Sequence, residues 1–248
     1  MNLSEFFREN SKAALAFSGG VDSAYLLYAA KAAGADVRAY YVKSAFQPQF
    51  ELEDAKRLCG KLDAGLTILK ADVLADQTIR ENPADRCYHC KKLIFNKIAK
   101  AAAADGYELL LDGTNASDEE GDRPGMRALR ELSVRSPLRE CGLTKGEIRR
   151  LSEAAGLFTW EKPAYACLAT RIPAGEEITA EKLRCTEAAE DFLFSLGFTD
   201  FRVRCFGGAA RLQFPDALIA RAVEKREEIV KELKQYYPAV LLDMEARI

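Results

Sequence analysis

One stretch near the start of the chain constrains the fold more than any other: Ala13-Ala14-Leu15-Ala16-Phe17-Ser18-Gly19-Gly20-Val21-Asp22-Ser23. Its apolar run breaks at Ser-Gly-Gly, and an apolar helical pattern resumes at Ala24-Tyr25-Leu26-Leu27-Tyr28. That order reads as a strand, a tight turn and a helix N-terminus. Glycines let backbone N–H groups approach an anion closely, and a helix start adds unpaired donors and a favourable dipole. Ser18 and Ser23 contribute hydroxyls, and Asp22 is suited to carry Mg²⁺ beside bound phosphates. The stretch lacks the Gly-Lys-Ser/Thr of a Walker A loop and the GxGxxG of a dinucleotide fold.

The alternation continues down the chain. A lead-in helix is expected over residues 3–11. Val37-Arg38-Ala39-Tyr40-Tyr41-Val42 is a second β-rich run, closed by Lys43-Ser44. Helical periodicity returns through 51–58, and Leu66-Thr67-Ile68-Leu69 reads as a third strand. Cys87-Tyr88-His89-Cys90 opens a helix running to about Ala104, and Tyr107–Leu111 is a further strand ending in Asp112-Gly113-Thr114-Asn115. A polar loop, 116–125, then precedes a short helix at 126–130. Thr144-Lys145-Gly146-Glu147 carries a capping-box pattern that opens a helix ending near Gly156. Strands alternating with helices predict an α/β fold whose parallel sheet is covered by helices on both faces, with ligands at the carboxyl ends of the strands.

Two prolines and a cysteine mark a linker, Glu161-Lys162-Pro163-Ala164-Tyr165-Ala166-Cys167-Leu168-Ala169-Thr170-Arg171-Ile172-Pro173. The expected division is therefore 1–162 and 163–248. The second part reads as helix (180–196), strand (201–206), strand (209–214), helix (217–236) and strand (239–243). Gly207-Gly208 is the hairpin signal of this small C-terminal α+β domain.

Composition excludes several classes. A formal charge of -2 gives no global attraction to nucleic acid or anionic membrane. No run is long and apolar enough to span a bilayer, and the first residues do not read as an export signal, so a cytoplasmic location is expected. Seven cysteines without an export signal argue for metal or thiol chemistry over disulfides. With one histidine, His89, a Ser-His-Asp or Cys-His device has a single candidate.

Ser-Gly-Gly-Val-Asp-Ser resembles the PP-loop of N-type ATP pyrophosphatases, which split ATP between its α and β phosphates. Further segments sharpen the likeness: Asp-Arg-Cys-Tyr-His-Cys-Lys-Lys, Asp-Gly-Thr-Asn-Ala-Ser-Asp, Arg-Pro-Gly-Met-Arg-Ala-Leu-Arg, Arg-Ser-Pro-Leu and Lys-Pro-Ala-Tyr-Ala-Cys-Leu-Ala-Thr-Arg-Ile-Pro. In this order they resemble the ATP-dependent sacrificial sulfur transferases of the LarE type, from the PP-loop to at least Phe214. The resemblance implies an adenine nucleotide alpha-hydrolase type of fold. It implies that ATP adenylates the carboxylates of pyridinium-3,5-biscarboxylic acid mononucleotide and that sulfur then displaces AMP. The product is the organic part of the nickel-pincer nucleotide cofactor of lactate racemase. It also implies a small-molecule substrate, a homo-oligomer, and partner enzymes before and after this step.

On that resemblance, Ser18, Gly19, Gly20, Val21, Asp22 and Ser23 cradle the departing phosphates, with Mg²⁺ on Asp22. Ser44, Gly113, Thr114, Asp118 and Arg123 are nucleotide-contact candidates, although Asp118 and Arg123 read equally well as solvated loop charges. Cys167 is the candidate for sulfur handling, with Arg171 and Lys162 close enough in sequence to favour its thiolate. Some members of the family give up this cysteine's sulfur and keep dehydroalanine. Others hold an iron–sulfur cluster on three cysteines. Cys87, Cys90 and Cys167 match the latter type, so a 4Fe–4S cluster is expected, with one iron open for extra sulfide. Cys59 and Cys205 read as core. Arg202, Arg204 and Arg211 on the late hairpin suit a substrate phosphate, a subunit interface or plain solvation.

Two rivals remain open at this point. Another PP-loop adenylating enzyme, thiolating tRNA or forming an amide, keeps the activation chemistry and changes the acceptor. A nucleotide or iron–sulfur carrier keeps the binding and lacks the catalysis. Near-neutral charge argues against the tRNA substrate.

Overall fold

A computed structural model describes residues 1–118 and 124–247. The chain forms two units. One comprises 1–73 and 85–165, the other 74–84 and 166–248.

In the first unit, β1 (Lys12–Ala16), β2 (Asp36–Lys43), β3 (Leu66–Lys70) and β4 (Leu110–Leu111) form a parallel sheet in the order β3-β2-β1-β4. Register is set by pairs such as Ala14 with Arg38 and with Leu110. The period-2 alternation of side chains divides β1 and β2 between two cores. Ala13, Leu15, Val37, Ala39 and Tyr41 pack on one face. That core includes residues of α1 (Leu3–Glu9), α2 (Val21–Ala32), α3 (Gln49–Lys61) and α8 (Lys145–Ala154). Ala14, Tyr40 and Val42 pack on the other, with Phe95 and Ile98 of α5 (Arg86–Ala104) and Leu129 of α6 (Pro124–Glu131). The expected α/β sheet with helices on both faces is thus present. The helix starts follow local chemistry: Asn2 and Thr144 each close a capping box, on Glu5 and Glu147. A short helix, α7 (Pro137–Glu140), begins at a proline that suits a first turn.

Strand β4 is shorter than the run 107–111 expected from its apolar residues. Tyr107 instead turns its hydroxyl to Asp36 at 2.9 Å, beside Lys12 over its ring.

The second unit holds α9 (Ala180–Ser195), α10 (Asp216–Glu224), α11 (Arg226–Leu233) and a three-stranded sheet. Its strands β5 (Arg202–Phe206) and β6 (Ala209–Gln213) form the antiparallel hairpin, and β7 (Val240–Leu242) pairs parallel to β6. Phe194, Phe198, Phe201 and Phe214 stack in its core, with centroids 4.8 Å apart for Phe194–Phe201 and 5.0 Å for Phe198–Phe214. The single helix expected over 217–236 is broken at Lys225 (φ −88, ψ 8), a kink that no glycine or proline announces.

The expected boundary at 162/163 falls three residues before that of the units, and it assigns 74–84 to the first part. That segment carries α4 (Gln77–Glu81), started by Asp76, whose carboxylate accepts from Ile79 N–H. Its bonds run to residues of the second unit. Asn82 donates through Nδ2 to the Ile172 and Pro173 carbonyls, and its own carbonyl accepts from Gly175. Ile178 N–H donates to the Arg80 carbonyl. Pairing across some ninety residues leaves no mark in local periodicity.

One ion pair in this unit is fully enclosed. Arg171 Nε meets Glu190 Oε1 at 2.7 Å, with side-chain exposures of 0% and 1%. Glu190 also accepts from Val203 N–H at 3.0 Å, tying α9 to β5. Removing one partner strands the other charge in the core, so Glu190→Ala is expected to cost about 3–5 kcal/mol. Urea denaturation measures it, and a loss under 1 kcal/mol would contradict this account of the pair.

Candidate active site

The glycine-rich loop lies at the carboxyl end of β1. Gly19 has φ +74°, and a Cβ there would stand 3.3 Å from the Glu51 carbonyl, so the turn requires glycine. The two serines lock the loop from inside. Their hydroxyls share a hydrogen bond at 3.1 Å, Ser23 donates to the Gly20 carbonyl at 3.2 Å, and Gly20 N–H donates to Ser18 Oγ at 3.3 Å. Gly20 is the N-cap of α2, and no side chain caps that helix start. The helix therefore directs its first N–H groups and positive dipole end to the mouth of the loop.

Beside it stands the loop that follows β4. Asp112 is buried and accepts three hydrogen bonds: from Thr114 N–H at 3.2 Å, Thr114 Oγ1 at 2.5 Å and Ser136 Oγ at 2.6 Å. These fix Gly113 against α2, where a Cβ would lie 3.0 Å from Ser23 N. Asn115 N–H donates to Asp118 at 2.9 Å, and Asn115 Nδ2 reaches Asp22 Oδ1 at 3.4 Å. The other oxygen of Asp22 pairs with Lys145 Nζ at 2.5 Å.

A cavity of about 550 Å³ opens between these loops. Ser18, Asp22, Ser23, Gly113, Thr114 and Asp118 line it, and so does Cys87 from the first turn of α5. Its volume suits a nucleotide, which needs a few hundred Å³. Arg86 donates to Cys87 Sγ at 3.7 Å, and Cys87 is exposed. Cys90 lies one helical turn on, and His89 sits 3.4 Å from Asp85. Ser44 is placed differently. It is buried at the end of β2, where its hydroxyl donates to Gln47 Oε1 at 2.7 Å and accepts from Phe46 N–H, closing a local turn. Arg123 lies outside the described residues.

Cys167 belongs to the second unit, as the N-cap of a 3₁₀ turn over Leu168–Arg171, and is partly exposed. The turn is firmly held. Thr170 donates to the Cys167 carbonyl through N–H (3.0 Å) and Oγ1 (2.8 Å), Arg171 Nη1 donates to the Ala166 carbonyl, and Arg204 donates to the Thr170 carbonyl at 2.7 Å. The two cations expected to favour a Cys167 thiolate each have a carboxylate partner. Arg171 is enclosed and spends its charge on Glu190, while Lys162 pairs with Asp54 at 2.6 Å in the other unit. Of the hairpin arginines, Arg202 is buried, and burial with Arg171 nearby lowers its pKa to about 10. Arg211 pairs with Asp243 at 3.5 Å. Burial pushes the Cys59 thiol up to about 11, as expected of a core cysteine, and Cys205 is buried too.

Sequence reasoning marked the Asp112–Asn115 segment but gave no role to Asp112 or Asn115 themselves, and none to Lys145. The capping box marked Lys145 as a helix start, but its partner Asp22 lies 123 positions away.

The family model for Queuosine biosynthesis protein QueC matches residues 12–84, the stretch bearing the glycine-rich loop. An uncharacterised protein of Synechocystis is 36% identical over 98% of this chain and 92% of its own length. The pyridinium-3,5-bisthiocarboxylic acid mononucleotide synthase of Lactiplantibacillus plantarum is 32% identical over 96% of this chain and 87% of its own. The chain belongs to this synthase's family, the LarE type within the PP-loop enzymes. An uncharacterised protein of Methanocaldococcus jannaschii is 31% identical over 98% of the chain and 93% of its own length. No helix among the described residues is long and apolar enough to cross a membrane.

The cavity gives a chemical test of the LarE-type site. In native protein, iodoacetamide is expected to alkylate Cys87 ahead of Cys59 and Cys205, and saturating ATP to slow Cys87 alone by about tenfold. Peptide mapping reads both. Equal labelling with and without ATP would mean that ATP does not occupy this cavity.

Proposed function

We propose that this protein is an ATP-dependent sulfur transferase that converts the carboxylates of pyridinium-3,5-biscarboxylic acid mononucleotide into thiocarboxylates for the nickel-pincer nucleotide. The observation that carries this reading is the cavity formed by the PP-loop and the Asp112–Asn115 loop, in a chain similar along nearly its whole length to a synthase of the bisthiocarboxylic product.

A carboxylate is a poor electrophile and must be activated before sulfur attacks. In the first step a substrate carboxylate oxygen bonds to the α-phosphorus of ATP. The bond from that phosphorus to the bridging oxygen breaks, and its electron pair leaves with pyrophosphate. The backbone N–H groups of Val21, Asp22 and Ser23, in the uncapped first turn of α2, are the donors for the charge that develops there. Mg²⁺ binds through one or two carboxylates plus phosphate oxygens, so the partly exposed carboxylate of Asp22 at the loop mouth fits it. When bound there, it would neutralise the departing pyrophosphate.

In the second step the Cys167 thiolate attacks the acyl carbon, and AMP leaves with the electron pair of the C–O bond. The substrate is now a thioester of Cys167. Loss of the Cα proton to solvent and cleavage of Cβ–Sγ release the thiocarboxylate and leave dehydroalanine. The second carboxylate consumes a second protein molecule. The sequence offers another sulfur source, a cluster on Cys87, Cys90 and Cys167. The partly exposed thiol of Cys167, at the N-cap of a firmly held 3₁₀ turn, supports the first route.

Turnover with ATP, Mg²⁺ and the biscarboxylate is expected to yield AMP and pyrophosphate only when the biscarboxylate is present, and spent protein lighter by one H₂S at Cys167. Cys167→Ser should form no thiocarboxylate. Protein purified without oxygen that holds about four irons and four sulfides per chain, loses them in Cys87→Ala and keeps Cys167 intact after turnover would move the source to a cluster.

A further inference from the structure

Asp22 is already paired. Lys145 Nζ lies 2.5 Å from its Oδ2, and both side chains are partly screened from solvent, with exposures of 34% and 22%. The contact is built by three elements. Lys145 is the first residue of α8, fixed by the Thr144–Glu147 capping box. Its N–H donates to Ser117 Oγ at 2.9 Å, and Ala116 N–H donates to the Leu143 carbonyl, so the start of α8 is sewn to the loop that carries Asn115 and Asp118. Asp22 in turn belongs to the first turn of α2 and takes Asn115 Nδ2 on its other oxygen at 3.4 Å. The backbone at Lys145 is rigid, while its ammonium rides on a flexible four-carbon stem with rotatable donors.

A cation on the carboxylate nearest the phosphate loop competes with any metal that the carboxylate is to receive. The same cation, swung aside, lies within a side chain's reach of the loop where pyrophosphate departs. We propose that Lys145 exchanges partners during the reaction: its ammonium neutralises Asp22 before nucleotide binds and bonds the pyrophosphate once Asp22 has passed to a divalent cation. The role rests on the reading of Asp22 as the metal-facing carboxylate. It supplies the departing group with a positive charge that appears when the bond breaks and is masked before then. That arrangement favours the transition state over the bound ground state.

The test uses the full chain and Mn²⁺ alone, followed by the spin-resonance signal of the unbound ion, beside pyrophosphate release at saturating substrates. Losing a competing, partly exposed ion pair should tighten Mn²⁺ binding about fivefold in Lys145→Met. Pyrophosphate release in that variant should fall about a hundredfold in kcat, with a smaller change in KM for ATP. Lys145→Arg, which keeps the charge, should hold Mn²⁺ affinity at the wild-type value and recover most of the lost turnover. A merely structural lysine would lower thermal stability and leave Mn²⁺ affinity where it was. Unchanged Mn²⁺ affinity in Lys145→Met, while Asp22→Asn loses Mn²⁺, overturns the exchange and leaves Asp22 as the metal carboxylate. Mn²⁺ binding that persists in Asp22→Asn overturns the reading of Asp22 itself.

Discussion

Much of the first unit's active face depends on one close approach. Gly113 lies so near the start of α2 that a single added carbon would stand 3.0 Å from the Ser23 nitrogen. Two loops from neighbouring strands share one cavity at a distance where any side chain at 113 would have to push the start of α2 aside. The buried carboxylate of Asp112 holds the approach by accepting from Thr114 and Ser136, so the carbonyl end of β4 cannot drift from the loop after β1. Such fixed donors need no reorganisation when charge develops on a bound phosphate, which is the main advantage an enzyme site has over water.

The second unit follows a different logic around Cys167. On the proposed route the Cys167 thiol gives up its sulfur, and such a thiol needs access more than burial and must be held without being enclosed. The enclosed Arg171–Glu190 pair, together with Arg204 on the Thr170 carbonyl, fixes the turn from behind while Cys167 stays partly exposed. A buried ion pair of this kind contributes little net stability against an apolar substitute, but it specifies one geometry for the turn it holds.

Much of this was legible in the residues. The strand–loop–helix of the PP-loop, the parallel sheet and the late hairpin follow from periodicity and glycine placement, because those signals act over a few residues. What sequence could not deliver were pairings at long range. Lys145 meets Asp22 across 123 positions, and residues 74–84 join the second unit through Asn82 and Gly175. Neither is encoded in local pattern. The ion pair of Arg171 was hidden for a related reason. Nearness in sequence drew attention to Cys167, whereas the carboxylate that meets Arg171 is Glu190, on a helix nineteen positions away. Ser44 shows the converse, a residue at a strand end whose hydroxyl is spent on its own turn.

The central claim is that the substrate's own carboxylate attacks ATP. The most direct measurement follows the oxygen: turnover of biscarboxylate labelled with ¹⁸O in its carboxyl groups, with mass analysis of the AMP released. Attack by the carboxylate puts one labelled oxygen into the phosphate of each AMP, since sulfur later cleaves the acyl side of that bridge. Unlabelled AMP would mean that water opens the nucleotide, and would contradict the account.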